Sequence, residues 1–109
     1  MLDKTTVREL ACQYVEEVKK VLPPVEIILF GSYVNGIPHQ YSDIDIAVVV
    51  DDFQGNWYEA ISMLCGLKRK VSIDIEPHLL DKSYDRSGFL EFVKKTGEVL
   101  YREPKIANR

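Results

Sequence analysis

A small α/β domain, with helices packed on one mixed β-sheet, is the fold class this sequence predicts. Two observations carry that prediction. Short β-branched runs alternate with amphipathic segments along the chain, in the order α-β-α-β-α-β-α and then a possible last β. The chain has 109 residues, 46% apolar and 28% charged, which suits one soluble domain with a single core. We expect one domain over 1–109, with about 103–109 as a flexible tail.

The elements follow in order. Thr6-Val7-Arg8-Glu9 has the spacing of a capping box. Val7, Leu10, Ala11, Tyr14, Val15, Val18, Val21 and Leu22 then recur at threes and fours, one stripe of an amphipathic helix that Pro23-Pro24 stops. Glu26 to Phe30 reads as a buried strand ended by Gly31, and Ser32 to Gly36 as a short helix. After a loop marked by Pro38, Asp43 to Val50 reads as a central strand, because five of its eight residues are Val or Ile, with Ala47 between them. Asp51 to Asn56 is a turn. Trp57 to Leu67 is a helix, with Trp57, Ile61, Leu64 and Cys65 on its apolar side and Lys68-Arg69-Lys70 suiting its C-terminal end. Val71 to Glu76 alternates apolar and polar, a strand with one wet face that Pro77 breaks. Residues 78–85 read as loop. Ser87 to Lys95 is helical, with Phe89, Phe92 and Val93 apolar, and Gly97 closes it. Glu98 to Tyr101 is a short last strand or an extended tail.

Charge and composition exclude several classes. Net charge is -3 and the pI near 5.4, against a stand-alone nucleic-acid binder. No apolar run approaches the roughly 18 residues needed to span a bilayer. The N-terminal residues do not read as a signal peptide, so a cytoplasmic location is expected. Cys12 and Cys65 form no CxxC and stand near no histidine pair, which reads as two reduced thiols and no zinc site.

The chemistry lies in Gly31-Ser32-Tyr33-Val34-Asn35-Gly36 and Ser42-Asp43-Ile44-Asp45. In a strand, Asp43 and Asp45 share one face while Ile44 and Ile46 take the other. Two carboxylates side by side repel, and a cation between them relieves the repulsion. Gly31 lets backbone approach phosphate oxygens, Ser32 can donate to β- and γ-phosphates, and Gly36 turns the loop back. Asp74, on the wet face of the next strand, would come within about 5 Å of the pair if the two strands are neighbours in register. Glu76, on the same face, is its rival. Three carboxylates could hold two metals about 3.5–4 Å apart and clamp an in-line displacement at phosphorus. Asp43 and Asp45 would hold the metal on the triphosphate, and Asp74 would accept the attacking hydroxyl's proton. His39 and His78, beside prolines, read as solvated loop residues. Trp57, Tyr58, Phe89 and Phe92 read as core or partner-facing surface, and Lys68-Arg69-Lys70 as a helix-end charge run.

Gly31-Ser32, the ten-residue step to Ser42-Asp43-Ile44-Asp45, and the later hydrophobic-Asp-hydrophobic run resemble the minimal nucleotidyltransferases of the DNA polymerase β superfamily. The resemblance runs from the first helix to Gly97-Glu98-Val99-Leu100-Tyr101. Asn35 departs from it, standing where many members carry arginine; Lys68, Arg69 or Lys70 could supply that charge instead. The resemblance implies a polymerase β-like fold that transfers a nucleoside monophosphate, usually from ATP with Mg2+ (two ions), to an acceptor hydroxyl. It assigns Asp43, Asp45 and Asp74 to metal and catalysis, and Gly31, Ser32, Gly36 and Ser42 to the nucleotide. Small members resemble antitoxins whose partner is a helical HEPN-domain toxin, and there the implied acceptor is a tyrosine on the toxin. A homo-oligomer is allowed and not required. The alternatives are a non-catalytic module that neutralises its partner by covering it, and an enzyme acting on a small molecule or an RNA end.

Overall fold

The computed structural model describes residues 2–38 and 42–104. The first helix, α1, is Lys4–Lys19. Its cap is Asp3, whose carboxylate accepts from the Thr6 backbone N–H at 2.7 Å. The expected Thr6–Glu9 capping box is therefore displaced, because Thr6 already lies in the first turn. Val7, Ala11, Tyr14, Val15 and Val18 are buried as the stripe predicts, whereas Val21, past the helix end, is exposed. Strand β1 is Glu26–Phe30, α2 is Ser32–Asn35, β2 is Ile44–Val50 and α3 is Trp57–Leu67. A 3-10 turn at Lys68–Lys70 leads to β3, Ile75–Asp81, then α4, Phe89–Thr96, and β4, Glu98–Arg102.

Among the described residues the strands form one sheet in the order β3-β2-β1-β4. β1 runs antiparallel to β2 and β4, and β2 parallel to β3. A parallel neighbour needs a crossover, which α3 supplies. Alternation along the strands then builds two cores. Ile27, Leu29, Ile44, Ile46 and Val48 face α1 and α3, while Ile28, Phe30, Ala47 and Val49 face Leu90 and Val93 of α4. β2 is covered on both faces, as its Val/Ile run predicts. Tyr14 ties α1 to α3: its hydroxyl donates to the Leu64 carbonyl at 2.6 Å, and burial pushes the phenol far above its usual range. Gly97 lets α4 close onto β1, because a Cβ there would press on the Ile28 side chain and the Val93 carbonyl.

Three expectations are corrected. The third strand is not Val71–Glu76 but Ile75–Asp81, and it contains Pro77. Residues 71–74 prolong the turn after α3: the Val71 and Ser72 N–H groups donate to the Lys68 carbonyl, and the Asp74 N–H donates to the Ser72 hydroxyl. Proline is accepted because β3 is an edge strand, where a missing donor need not interrupt a ladder. The buried stripe of α3 is Ala60, Leu64 and Leu67 with Trp57 beside it, leaving Ile61 and Cys65 exposed. On α4, Leu90 and Val93 are buried and Phe92 is exposed. His39 and the end of the expected tail, past Pro104, lie outside the described residues.

Candidate active site

The site lies where β1 ends and β2 and β3 begin, on the α4 face of the sheet. Gly31 follows β1 with φ of 87°, a conformation that side chains disfavour. Its carbonyl accepts from the N–H groups of Val34 (3.0 Å) and Asn35 (3.2 Å), which folds residues 32–35 into α2. Ser32 is the first residue of α2 and half-buried, and Gly36 follows its last. Phe30 pairs with Asp45 across the sheet, so the turn hangs beside that carboxylate. The fit is close: a Cβ on Gly31 would overlap Asp45 Oδ2.

On the other side of β2, Asp45 pairs in register with Glu76 and Ala47 with His78. Asp45 Oδ1 lies 3.1 Å from His78 Nε2. Among the described residues, Asp45, Glu76 and His78 bring one potential ligand atom each to within 4.8 Å of one another. Asp43, just before β2 and exposed, completes the acidic group through its side-chain hydrogen bond with Glu76. That bond, then burial, then the like charges of Asp43 and Asp45 push the Glu76 carboxyl above its ordinary range, while His78 opposes them. Three carboxylates crowded together are a donor set suited to a hard divalent cation, which prefers oxygen and relieves their mutual repulsion.

The structure brings Gly31, Ser32, Asp43 and Asp45 to one place. Ser42 is half-buried beside Asp43. Asp74 is not part of the Asp45–Glu76–His78 group. That residue sits in the turn before β3 with an exposed side chain, and its backbone carbonyl accepts from the Ile44 N–H at 2.8 Å. Glu76, the rival on the same face, occupies the position beside the pair. His78 is not a solvated loop residue: it belongs to β3, is half-buried and touches Asp45. The sequence carried a usable signal, since Ile75, Pro77 and Leu79 against Glu76 and His78 continue the apolar–polar alternation past Pro77.

The family described as "Polymerase beta, Nucleotidyltransferase" matches residues 13–106. The chain belongs to this family. No curated protein matches it. Among solved structures, this nucleotidyltransferase domain is similar to a candidate nucleotidyltransferase from Sulfolobus solfataricus at 24% identity and a TM-score of 0.66, covering 92% of this chain and 84% of that one. It is also similar to a toxin–antitoxin structure with AMP-PNP, at 27% identity and a TM-score of 0.60, covering 84% of this chain and 73% of that one. A mutant MntA-HpeT toxin–antitoxin structure, in which two aspartates two positions apart are changed to glutamate, matches at 24% identity and a TM-score of 0.57 over the same shares. The fold is thus that of the polymerase β-like nucleotidyltransferases. Among the described residues no helix is long and apolar enough to cross a membrane.

Proposed function

We propose that this domain is a magnesium-dependent nucleotidyltransferase that moves AMP from ATP to a hydroxyl of a partner protein, as the antitoxin of a HEPN-domain toxin. The observation that carries the reading is the seating of Gly31 against Asp45, with Glu76 in register beside it. This joins a turn suited to phosphates to a carboxylate group suited to a cation. Family membership supports nucleotidyl transfer, and the toxin–antitoxin relative with AMP-PNP supports the adenine nucleotide and the partner class.

Asp43, Asp45 and Glu76 would hold the cation. Bound magnesium supplies positive charge for the triphosphate and for charge developing at phosphorus. The Ser32 hydroxyl and the N–H groups opening α2 would hold the β- and γ-phosphate oxygens, with Ser42 beside Asp43 and Gly36 completing the loop. The acceptor oxygen attacks the α-phosphorus in line, the bond to the β-phosphate bridging oxygen breaks, and pyrophosphate leaves. The acceptor's proton passes to a site carboxylate, and Glu76 is placed for this. The test is incubation with α-labelled ATP, Mg2+ and the helical protein encoded beside this one. Label on a partner hydroxyl is expected. A partner that binds and stays unlabelled would contradict the reading.

A further inference from the structure

We propose that His78 is a positioning residue that fixes the carboxylate of Asp45 for the divalent cation. The inference rests on the metal-site reading above and adds a role for a side chain outside the acidic group. Asp45 is held at one oxygen and open toward the turn at the other. Oδ1 lies 3.1 Å from His78 Nε2, and Oδ2 lies over Gly31, in space that a Cβ would fill. With Oδ1 tied to His78, Oδ2 is left aimed at the turn where a triphosphate would rest.

The imidazole is itself held. It packs edge-on to Phe30 at 5.0 Å and tilted to Phe89 at 6.3 Å, and those two rings meet at 5.7 Å. Phe30 closes β1 and Phe89 opens α4, so the His78 ring sits in a wall built by three elements. Its place along the sheet favours support over ligation. His78 pairs with Ala47, one same-face step beyond the Asp45–Glu76 pair and away from Asp43. A cation shared by Asp43, Asp45 and Glu76 therefore lies on the far side of Asp45. Magnesium also selects oxygen donors, whereas imidazole nitrogen suits later transition metals. Partners that hydrogen-bond a ligating carboxylate typically change metal affinity by roughly 10–100-fold when removed.

Mn2+ serves as the probe, its binding followed by electron paramagnetic resonance on wild type, His78→Leu and His78→Gln. Leucine keeps bulk against Phe30 and Phe89 without a donor, and glutamine restores an N–H. The expected result is a roughly 10–100-fold weaker Mn2+ affinity for His78→Leu, recovered for the most part in His78→Gln, with no directly bound 14N coupling in the wild-type echo-modulation spectrum. Equal affinity in a folded His78→Leu variant overturns the proposal, and so does 14N coupling from a bound imidazole. If the leucine variant does not fold, the wild-type spectrum and the glutamine variant's affinity decide. A wild-type chain that binds no Mn2+ rejects the metal site itself, a separate failure.

Discussion

Two carboxylate centres lie on the α4 face of the sheet, and the fold treats them oppositely. Glu26, at the start of β1, is buried, yet its charge is answered. Arg102 of β4 donates to it through Nε (3.2 Å) and Nη2 (3.1 Å), and Lys94 of α4 stands 3.7 Å away. At the other end of the face, Asp43, Asp45 and Glu76 crowd together, with His78 against Asp45. Among the described residues no lysine or arginine pairs with these three. Glu26 shows what this chain does with a carboxylate that serves stability. The acidic group is the opposite case, with its negative charge unanswered by lysine or arginine among the described residues, as the proposed cation site requires.

The largest effect that follows is on chemistry. Asp45→Asn should lower nucleotidyl transfer by roughly 10³-fold, a loss of several kcal/mol of transition-state stabilisation, while the melting temperature without metal holds or rises. Label incorporation and thermal denaturation check the two halves. Gly31→Ala should also lose transfer, and unlike Asp45→Asn it should cost about 2 kcal/mol of stability from its positive φ alone, with the overlap on Asp45 added. Urea denaturation would read this.

The two centres can be set against each other by one substitution. Glu26→Gln removes a charge that Arg102 and Lys94 answer and should destabilise by about 1–3 kcal/mol. Glu76→Gln removes a charge the metal-free fold resists and should stabilise the metal-free protein at pH 7. The sign follows from the raised Glu76 carboxyl: its contribution is full below the ordinary 4.5 and is lost as pH rises through the higher folded value. If both variants shift the melting temperature in the same direction at pH 7, the contrast between the centres is wrong.

A smaller effect concerns Asp81 at the end of β3. Burial alone would raise its pKa, but hydrogen bonds from the Ser83 side chain and from the N–H groups of Phe53, Ser83 and Asp52 lower it to about 2. A depressed carboxyl stabilises above its ordinary 3.8 and loses that contribution as pH falls through about 2. Asp81→Asn should therefore reduce stability at neutral pH and flatten its acid dependence between those values, as acid titration of the melting temperature would show.

The part of the fold bounded by strong punctuation was legible in the sequence. Pro23-Pro24 and Gly31 framed β1, and the Val/Ile run marked β2 as central. The error came at Pro77, read as a strand breaker although an edge strand tolerates it. That reading moved β3 four residues toward the N-terminus and favoured Asp74 over Glu76. It also left His78 in a loop. The two residues share one parity, so alternation alone could not separate them; only the parallel register with β2 does. The contact between Gly31 and Asp45 was hidden for a different reason, since strand pairing brings together residues that are fourteen apart.

The central claim is that the unanswered carboxylates exist to hold a divalent cation. The most direct measurement is thermal denaturation of wild type and Asp45→Asn with and without MgCl2 at matched ionic strength. Binding to the folded state alone raises stability in proportion to the logarithm of ligand over Kd. The wild type should melt higher with magnesium, and Asp45→Asn should not respond. A wild type indifferent to magnesium, or an Asp45→Asn variant that gains as much, would contradict the account.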